Sequence, residues 1–163
     1  MKKISSIIIS IIALHLIYAC AGYKPIYISD LNFEIANYDL KKNKKLGKII
    51  YYKLYNLSKN NKNNDVAQNI TITINVEKNK TATVKDTTGK ILEYRIIITT
   101  NILIKDYLTN EEILNQTFYD SSSFKVQDQY SETIKLEKKS TENILNKMFQ
   151  DLIIKMSEKM LQK

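Results

Sequence analysis

The sequence is poor in the residues that carry most catalytic chemistry. Its 163 residues include one cysteine, one histidine, three glycines and no tryptophan. Cys20 and His15 both lie in the first 20 residues, so the rest of the chain can form no internal disulfide. It also lacks the usual zinc ligands and the histidine base of a Ser-His-Asp triad, and it has no GxxxxGK[ST] loop to hold a phosphate. The sequence therefore predicts a binding or assembly module, with no enzymatic activity, metal or cofactor.

Carboxylates are the only catalytic groups that remain. Glu111 and Glu112 form one acidic pair, and Asp128 and Glu132 form another. The first pair falls in a predicted turn and the second at a predicted helix start, where acidic residues usually serve as solvated turn or cap residues. A carboxylate hydrolase that uses Glu111 and Asp120 stays as an alternative.

The start of the chain has the pattern of an exported bacterial lipoprotein. Met1-Lys2-Lys3 is positively charged, residues 4–16 are apolar apart from three serines and His15, and Ile17-Tyr18-Ala19-Cys20 resembles a lipobox. We therefore expect residues 1–19 to be a signal peptide and Cys20 to carry a diacylglycerol thioether. An ordinary signal peptide and an uncleaved anchor are the alternatives. The apolar run is short for an anchor, since a membrane span needs about 20 apolar residues.

Cleavage before Cys20 would remove 19 of the 163 residues and leave 144, enough for one domain. No later segment reaches transmembrane length, so lipid alone would tether the domain. Loss of Lys2 and Lys3 would lower the net charge from +8 to +6. This basic excess says little about function, because the high content of Lys, Asn, Ile and Tyr is typical of an AT-rich genome. Export also argues against a nucleic-acid partner.

Hydrophobic periodicity predicts an α+β domain over residues 26–163, joined to Cys20 by a linker over residues 20–25. Apolar residues alternate over 26–35, with a bulge expected near 29–30 and a loop over 37–45. A helical period follows over 44–58, and a polar loop over 58–65. The three strongest strand patterns cover residues 69–76, 92–105 and 113–126. The first of them is expected to continue, bulged, to residue 84.

A long helix is predicted to close the chain, capped by Asp128 or Ser131. Short turns between the last three strands indicate an antiparallel meander. The predicted order is β-α-β-β-β-α, a four-stranded antiparallel or mixed sheet with two helices packed on it.

Three stretches of the chain resemble the lipopolysaccharide-assembly lipoprotein family LptE, also called RlpB, and its alphaproteobacterial branch in particular. They are Cys20-Ala21-Gly22-Tyr23-Lys24-Pro25-Ile26-Tyr27 at the lipidated start, Leu92-Glu93-Tyr94-Arg95 with Ile104-Lys105-Asp106, and the strand-to-helix junction over residues 121–131. Each motif consists of common residues, and their order along the chain gives them weight.

The resemblance implies an outer-membrane lipoprotein that faces the periplasm. Such a protein would assist assembly of the LptD β-barrel, plug it, and help deliver lipopolysaccharide to the outer leaflet. Ala21 fits this location, because an Asp after the cysteine would favour retention in the inner membrane. The alternative is another lipoprotein module, such as an accessory subunit of a lipid transport system.

Lipopolysaccharide carries phosphates, so cationic side chains near the sheet are its candidate contacts. Arg95, the only arginine, is the first candidate because its planar guanidinium suits phosphate. Lys85, Lys105 and Lys125 are the others. The alternative is that these four are solvated strand charges, which also discourage edge-to-edge aggregation.

Overall fold

The computed structural model describes residues 31–60 and 67–160. The predicted signal peptide, Cys20 and the linker lie outside the described residues, as does the bulge expected near residues 29–30. The described elements are β1 (Phe33–Lys42), α1 (Lys44–Asn60), β2 (Gln68–Lys85), β3 (Ile91–Asp106), β4 (Glu112–Lys125) and α2 (Tyr130–Met160). The predicted β-α-β-β-β-α order is confirmed.

The four strands form one mixed sheet in the order β1-β2-β3-β4. β1 and β2 are parallel, because α1 carries the chain back between them, whereas β2, β3 and β4 form the expected antiparallel meander. We call the end at which β1 and β2 begin the base. The opposite end, where residues 86–90 join β2 to β3 and α2 begins, is the tip.

One face of the sheet forms the core. On β2 and β3 the buried side chains are almost all β-branched aliphatic residues in strict alternation: Ile70, Ile72, Ile74, Val76, Ile96, Ile98, Ile102 and Ile104. Such residues suit a pleated surface, and each contributes about 1.5–3 kcal/mol when fully buried. Leu54 of α1 and Leu145 and Leu152 of α2 join the same cluster. Both helices therefore cover this face.

The first strand lies later in the chain than its sequence indicates, since among the described residues it begins at Phe33. Residues 37–45 were expected to form a loop, but β1 continues to Lys42 with a bulge between Ile35 and Asn37. This prediction is wrong because β1 is an edge strand held by backbone pairing to β2. Most of its later side chains face solvent, so no apolar alternation marks it. Asn43 then caps α1 by accepting a hydrogen bond from the Leu46 amide at 3.2 Å.

The turn that joins β2 to β3 at the tip is ordered. At the tip, Gly89 has φ +85°, a conformation that favours glycine, and its amide donates to the Asp86 carbonyl at 3.1 Å. The register shifts near Ala82 and Val84 confirm the expected bulged end of β2.

Ser131 lies inside α2, which begins at Tyr130, so its predicted role as a cap is wrong. The Thr133 hydroxyl instead accepts a hydrogen bond from the Gln127 amide at 2.9 Å.

Candidate functional site

The face of the sheet away from both helices is polar and lacks a second layer in the part of the chain that the structure describes. We call it the open face. Its middle carries mainly threonine, asparagine and serine, with the exposed Tyr119 and two half-buried aliphatic residues: Thr71, Thr73, Asn75, Ile97, Thr99, Asn101, Leu103, Asn115, Thr117, Tyr119, Ser121 and Ser123. Charged residues of the same face are Asp39, Lys41, Glu77, Glu93, Arg95, Lys105 and Lys125. At its centre the Asn101 amide donates to Asn115 Oδ1 at 3.3 Å and to Thr117 Oγ1 at 3.1 Å. The open face is thus a broad, ordered hydrogen-bonding surface.

The four predicted phosphate contacts do not form one cluster. Arg95 lies on the open face near the tip, opposite Thr81 and Ser123, and its Nε donates to the Ser123 hydroxyl at 3.4 Å. Lys125 lies beside it, opposite Glu93. Lys85 is also at the tip, opposite Ile91.

Lys105 lies at the other end of the strand that carries Arg95. Ten residues at about 3.3 Å each place it roughly 33 Å from Arg95 along β3. The structure therefore brings together three of the four candidates, at the tip, and leaves Lys105 at the base.

A charged cluster that the sequence analysis missed lies on the other face, beneath α2. Lys78 Nζ and Lys80 Nζ each lie 2.7 Å from a carboxylate oxygen of Glu137, whose side chain is 19% exposed. Lys80 Nζ also lies 4.3 Å from the ring centroid of Tyr94. Hydrogen bonds from the two ammonium groups lower the pKa of Glu137 below its ordinary value of 4.5.

The alternation of β2 in the sequence already indicates the lysines of this cluster. Lys78 and Lys80 continue the series of every second residue that begins at Ile70, which places both lysines on the covered face. A lysine on a covered face requires a partner, because burial of an unpaired charge is costly. Only the tertiary pairing shows that the partner is Glu137, 57 residues after Lys80.

Two hollows flank this cluster along α2. The larger, of about 460 Å³, lies at the tip between Lys80, Leu92, Tyr94 and Tyr130. The smaller, of about 390 Å³, lies between α1 and α2. Ile134 lines both. Each hollow is lined by both apolar and charged side chains, with at least two lysines in each.

The acidic residues do not converge on a catalytic arrangement. Asp120 is on the covered face, 3.1 Å from Lys147 Nζ, whereas Glu111 lies in the turn at the base. About 26 Å of β4 separates Asp120 from Glu112, the neighbour of Glu111. Across residues 31–60 and 67–160, no group of three Asp, Glu, His or Cys residues could hold a metal ion.

Comparison with known proteins finds likeness in structure alone. No protein-family model matches the sequence, and no curated protein does. Among solved structures, an uncharacterised lipoprotein B of Nitrosomonas europaea matches with a TM-score of 0.56 and 14% identity, over 81% of this chain and 88% of that one. A candidate lipoprotein of Caulobacter crescentus matches with a TM-score of 0.53 and 11% identity, over 81% of this chain and 90% of that one.

This chain has the fold of these lipoproteins. Rare lipoprotein B of Shewanella oneidensis is also similar, with a TM-score of 0.45 and 14% identity over 77% of this chain and 94% of that one. No helix among the described residues is both long enough and apolar enough to cross a membrane. The two matches with TM-scores of 0.53 and 0.56 confirm the family resemblance of the sequence at the level of fold.

Replacement of Glu137 tests the charged cluster. We expect Glu137→Gln to lower the free energy of unfolding at pH 7 by about 2 kcal/mol, between the values for exposed and buried ion pairs. Because folding lowers the pKa of Glu137, its contribution is full above pH 4.5 and is lost as the pH falls through the lowered value. Urea unfolding at pH 7 and pH 3 should show a difference from the wild type that is smaller at pH 3.

Glu142→Gln is the matched control on the same helix. Its carboxylate lies 3.9 Å from Lys138 Nζ, and both side chains are exposed. We expect the control to change the free energy of unfolding by less than about 0.5 kcal/mol at either pH. Equal losses in the two variants would contradict a special role for Glu137.

Proposed function

We propose that this protein is an outer-membrane lipoprotein of LptE type, which assists assembly of a large LptD-like β-barrel and plugs it. The observation that carries the proposal is the fold, which the chain shares with solved lipoproteins over about nine-tenths of their length. The lipobox-like segment that ends at Cys20 agrees with it, because it supplies the attachment of such a protein. In this role the domain makes and breaks no covalent bond.

The open face is the surface best suited to meet the barrel. The outward sides of α2 are densely charged, with Glu132, Lys135, Lys138, Glu142 and Lys155 all exposed. Interface centres are depleted in such charged residues. On the open face, β3 is uncharged from Ile97 to Leu103 and β4 from Asn115 to Ser123. The hydroxyl and amide groups of this uncharged middle can hydrogen-bond to a polar lumen wall directly or through water. This contrast supports contact through the sheet.

The tip cations are the groups best placed to meet lipopolysaccharide in this arrangement. Arg95 and Lys125 share the open face two residue pairs apart, and Glu93 lies directly opposite Lys125. The Arg95 guanidinium keeps donors beyond its single 3.4 Å contact with Ser123, so it can bind a phosphate. We propose that these two side chains form the phosphate contact and that Lys105 does not.

The second candidate is an accessory subunit of a lipid transport system, which would also be a small lipid-anchored α+β module. The hollows beneath α2 favour it, since a pocket lined by apolar side chains and lysines can hold an anionic lipid. The two functions differ in the large partner that each requires.

Identification of that partner separates the two candidates. The tagged full-length protein should be expressed in its native host, extracted in mild detergent and captured, and the co-purifying proteins identified by mass spectrometry. We expect a large outer-membrane β-barrel. Capture of an inner-membrane transporter without a barrel would support the second candidate and contradict the first.

Charge reversal tests the tip. We expect Arg95→Glu to weaken lipopolysaccharide binding by the purified protein by roughly tenfold, because a charge-assisted hydrogen bond to phosphate contributes about 1.5–3 kcal/mol. Lys105→Glu is the matched control at the base and should leave binding unchanged. Equal affinity of the Arg95 variant and the wild type would remove Arg95 from the site.

A further inference from the structure

The turn that joins β3 to β4 exposes two apolar side chains at the base. Leu108 is 81% exposed and Tyr107 is 52% exposed. Leu108 has the largest exposed fraction among the large hydrophobic side chains of the described residues. Isolated exposed leucines are common, so the feature gains meaning only from how the turn is held and where it lies.

The turn is held firmly by one carboxylate. Asp106 Oδ1 accepts hydrogen bonds from the Leu108 and Thr109 amides, both at 2.9 Å, and Oδ2 accepts one from Gln68 Nε2 at 2.9 Å. Its backbone closes the turn, since its amide donates to the Glu111 carbonyl at 2.9 Å. The hydrogen bonds lower the pKa of Asp106 to about 2, so it is ionised at neutral pH. These hydrogen bonds order the backbone of the turn from which Leu108 projects.

The turn lies near Asn32, which follows the segment that connects Cys20 to the described residues. The Gln68 amide donates to the Asn32 carbonyl at 3.2 Å, and the Gln68 side chain donates to Asp106. The Tyr107 amide in turn donates to the Asn69 carbonyl at 2.9 Å. Three neighbouring strands thus link residue 32 to the turn, and two strand spacings separate β1 from β3 by about 10 Å.

The distance to Cys20 limits how far the base can lie from a membrane. Ten residues, 21–30, separate Cys20 from Leu31, and such a segment spans at most about 40 Å when fully extended. The tip lies roughly 50 Å beyond the base, along the 16 residues of β3. A lipid on Cys20 would therefore keep the base, and the turn with it, within about 40 Å of the membrane.

We propose that Tyr107 and Leu108 form a second membrane contact, which docks the base of the domain on the bilayer that holds its lipid. This rests on the lipid anchor of the proposed function and not on the barrel, because it concerns the domain held by lipid alone. Leucine partitions out of water and tyrosine favours the membrane–water interface. The tether makes the contact intramolecular, so even a weak contact is populated.

The charges around the turn argue against attraction to anionic lipid. Asp106, Glu111 and Glu112 lie near Tyr107 and Leu108 along the chain, and Lys105 precedes them, so three acidic residues accompany one basic residue. Apolar insertion, and not attraction to anionic lipid, would then hold the turn. Docked in this way, the strands stand away from the membrane and the open face remains accessible.

An environment-sensitive fluorophore tests the contact. A thioether at Cys20 leaves no other thiol, so Leu108→Cys in the lipidated full-length protein can be labelled uniquely with nitrobenzoxadiazole. Tyr130→Cys is the matched control, because Tyr130 is 79% exposed at the tip. In phosphatidylcholine vesicles we expect a blue shift and a several-fold rise in emission at position 108, and neither at position 130.

Three further results bear on the proposal. The signal at position 108 should persist in high salt and should not increase with added phosphatidylglycerol. A reporter at Thr109→Cys should lose its shift when Leu108→Asp is added, and keep it with Tyr130→Asp.

Water-like emission at position 108 in protein that floats with vesicles would overturn the proposal, as would a signal found only with anionic lipid in low salt. Protein that does not float, and that labels at two thiols, would instead refute lipidation of Cys20.

Discussion

The packing of one aliphatic sheet face against two helices is the constraint on which the rest of the structure depends. Ile72 and Ile74 of β2 and Ile96 and Ile98 of β3 are completely buried, and α1 and α2 meet the sheet on this side. Because both helices are on one face, the other face remains a single polar surface. The position of Lys78 and Lys80 follows from the same alternation, since their parity carries them beneath α2 and makes Glu137 necessary as their partner.

This one-sided packing gives the domain distinct surfaces for distinct contacts. The middle of the open face has hydroxyl and amide groups, the helices carry charge outward, the tip carries Arg95 and Lys125, and the base carries Leu108. A lipid at Cys20 would keep the base within reach of the membrane, and the sheet could then contact a partner in that membrane. The proposed role needs no catalytic group, because recognition and position would be its whole mechanism.

The sequence predicts this fold where local pattern and tertiary packing agree. The alternation of residues 69–76 and 92–105 identifies two central strands, and the helical period after Lys44 identifies α1. In each case the spacing of the buried apolar side chains equals the period of the element. The later half of β1 could not be found, since backbone pairing holds an edge strand whose side chains face water. The separation of Lys105 from Arg95 follows from strand length alone, whereas the pairing of Lys78 and Lys80 with Glu137 requires the packing of α2 on the sheet.

Photo-cross-linking tests most directly whether the open face is the binding surface. A photoreactive residue would be placed at Thr99 or Thr117 on the open face, or at Asn143 or Gln150 on the exposed side of α2. Each full-length variant would be irradiated in cells. The account predicts strong cross-links to a large β-barrel from the two sheet positions and weak ones from the two helix positions. Cross-links to the barrel from the helix positions alone would contradict it.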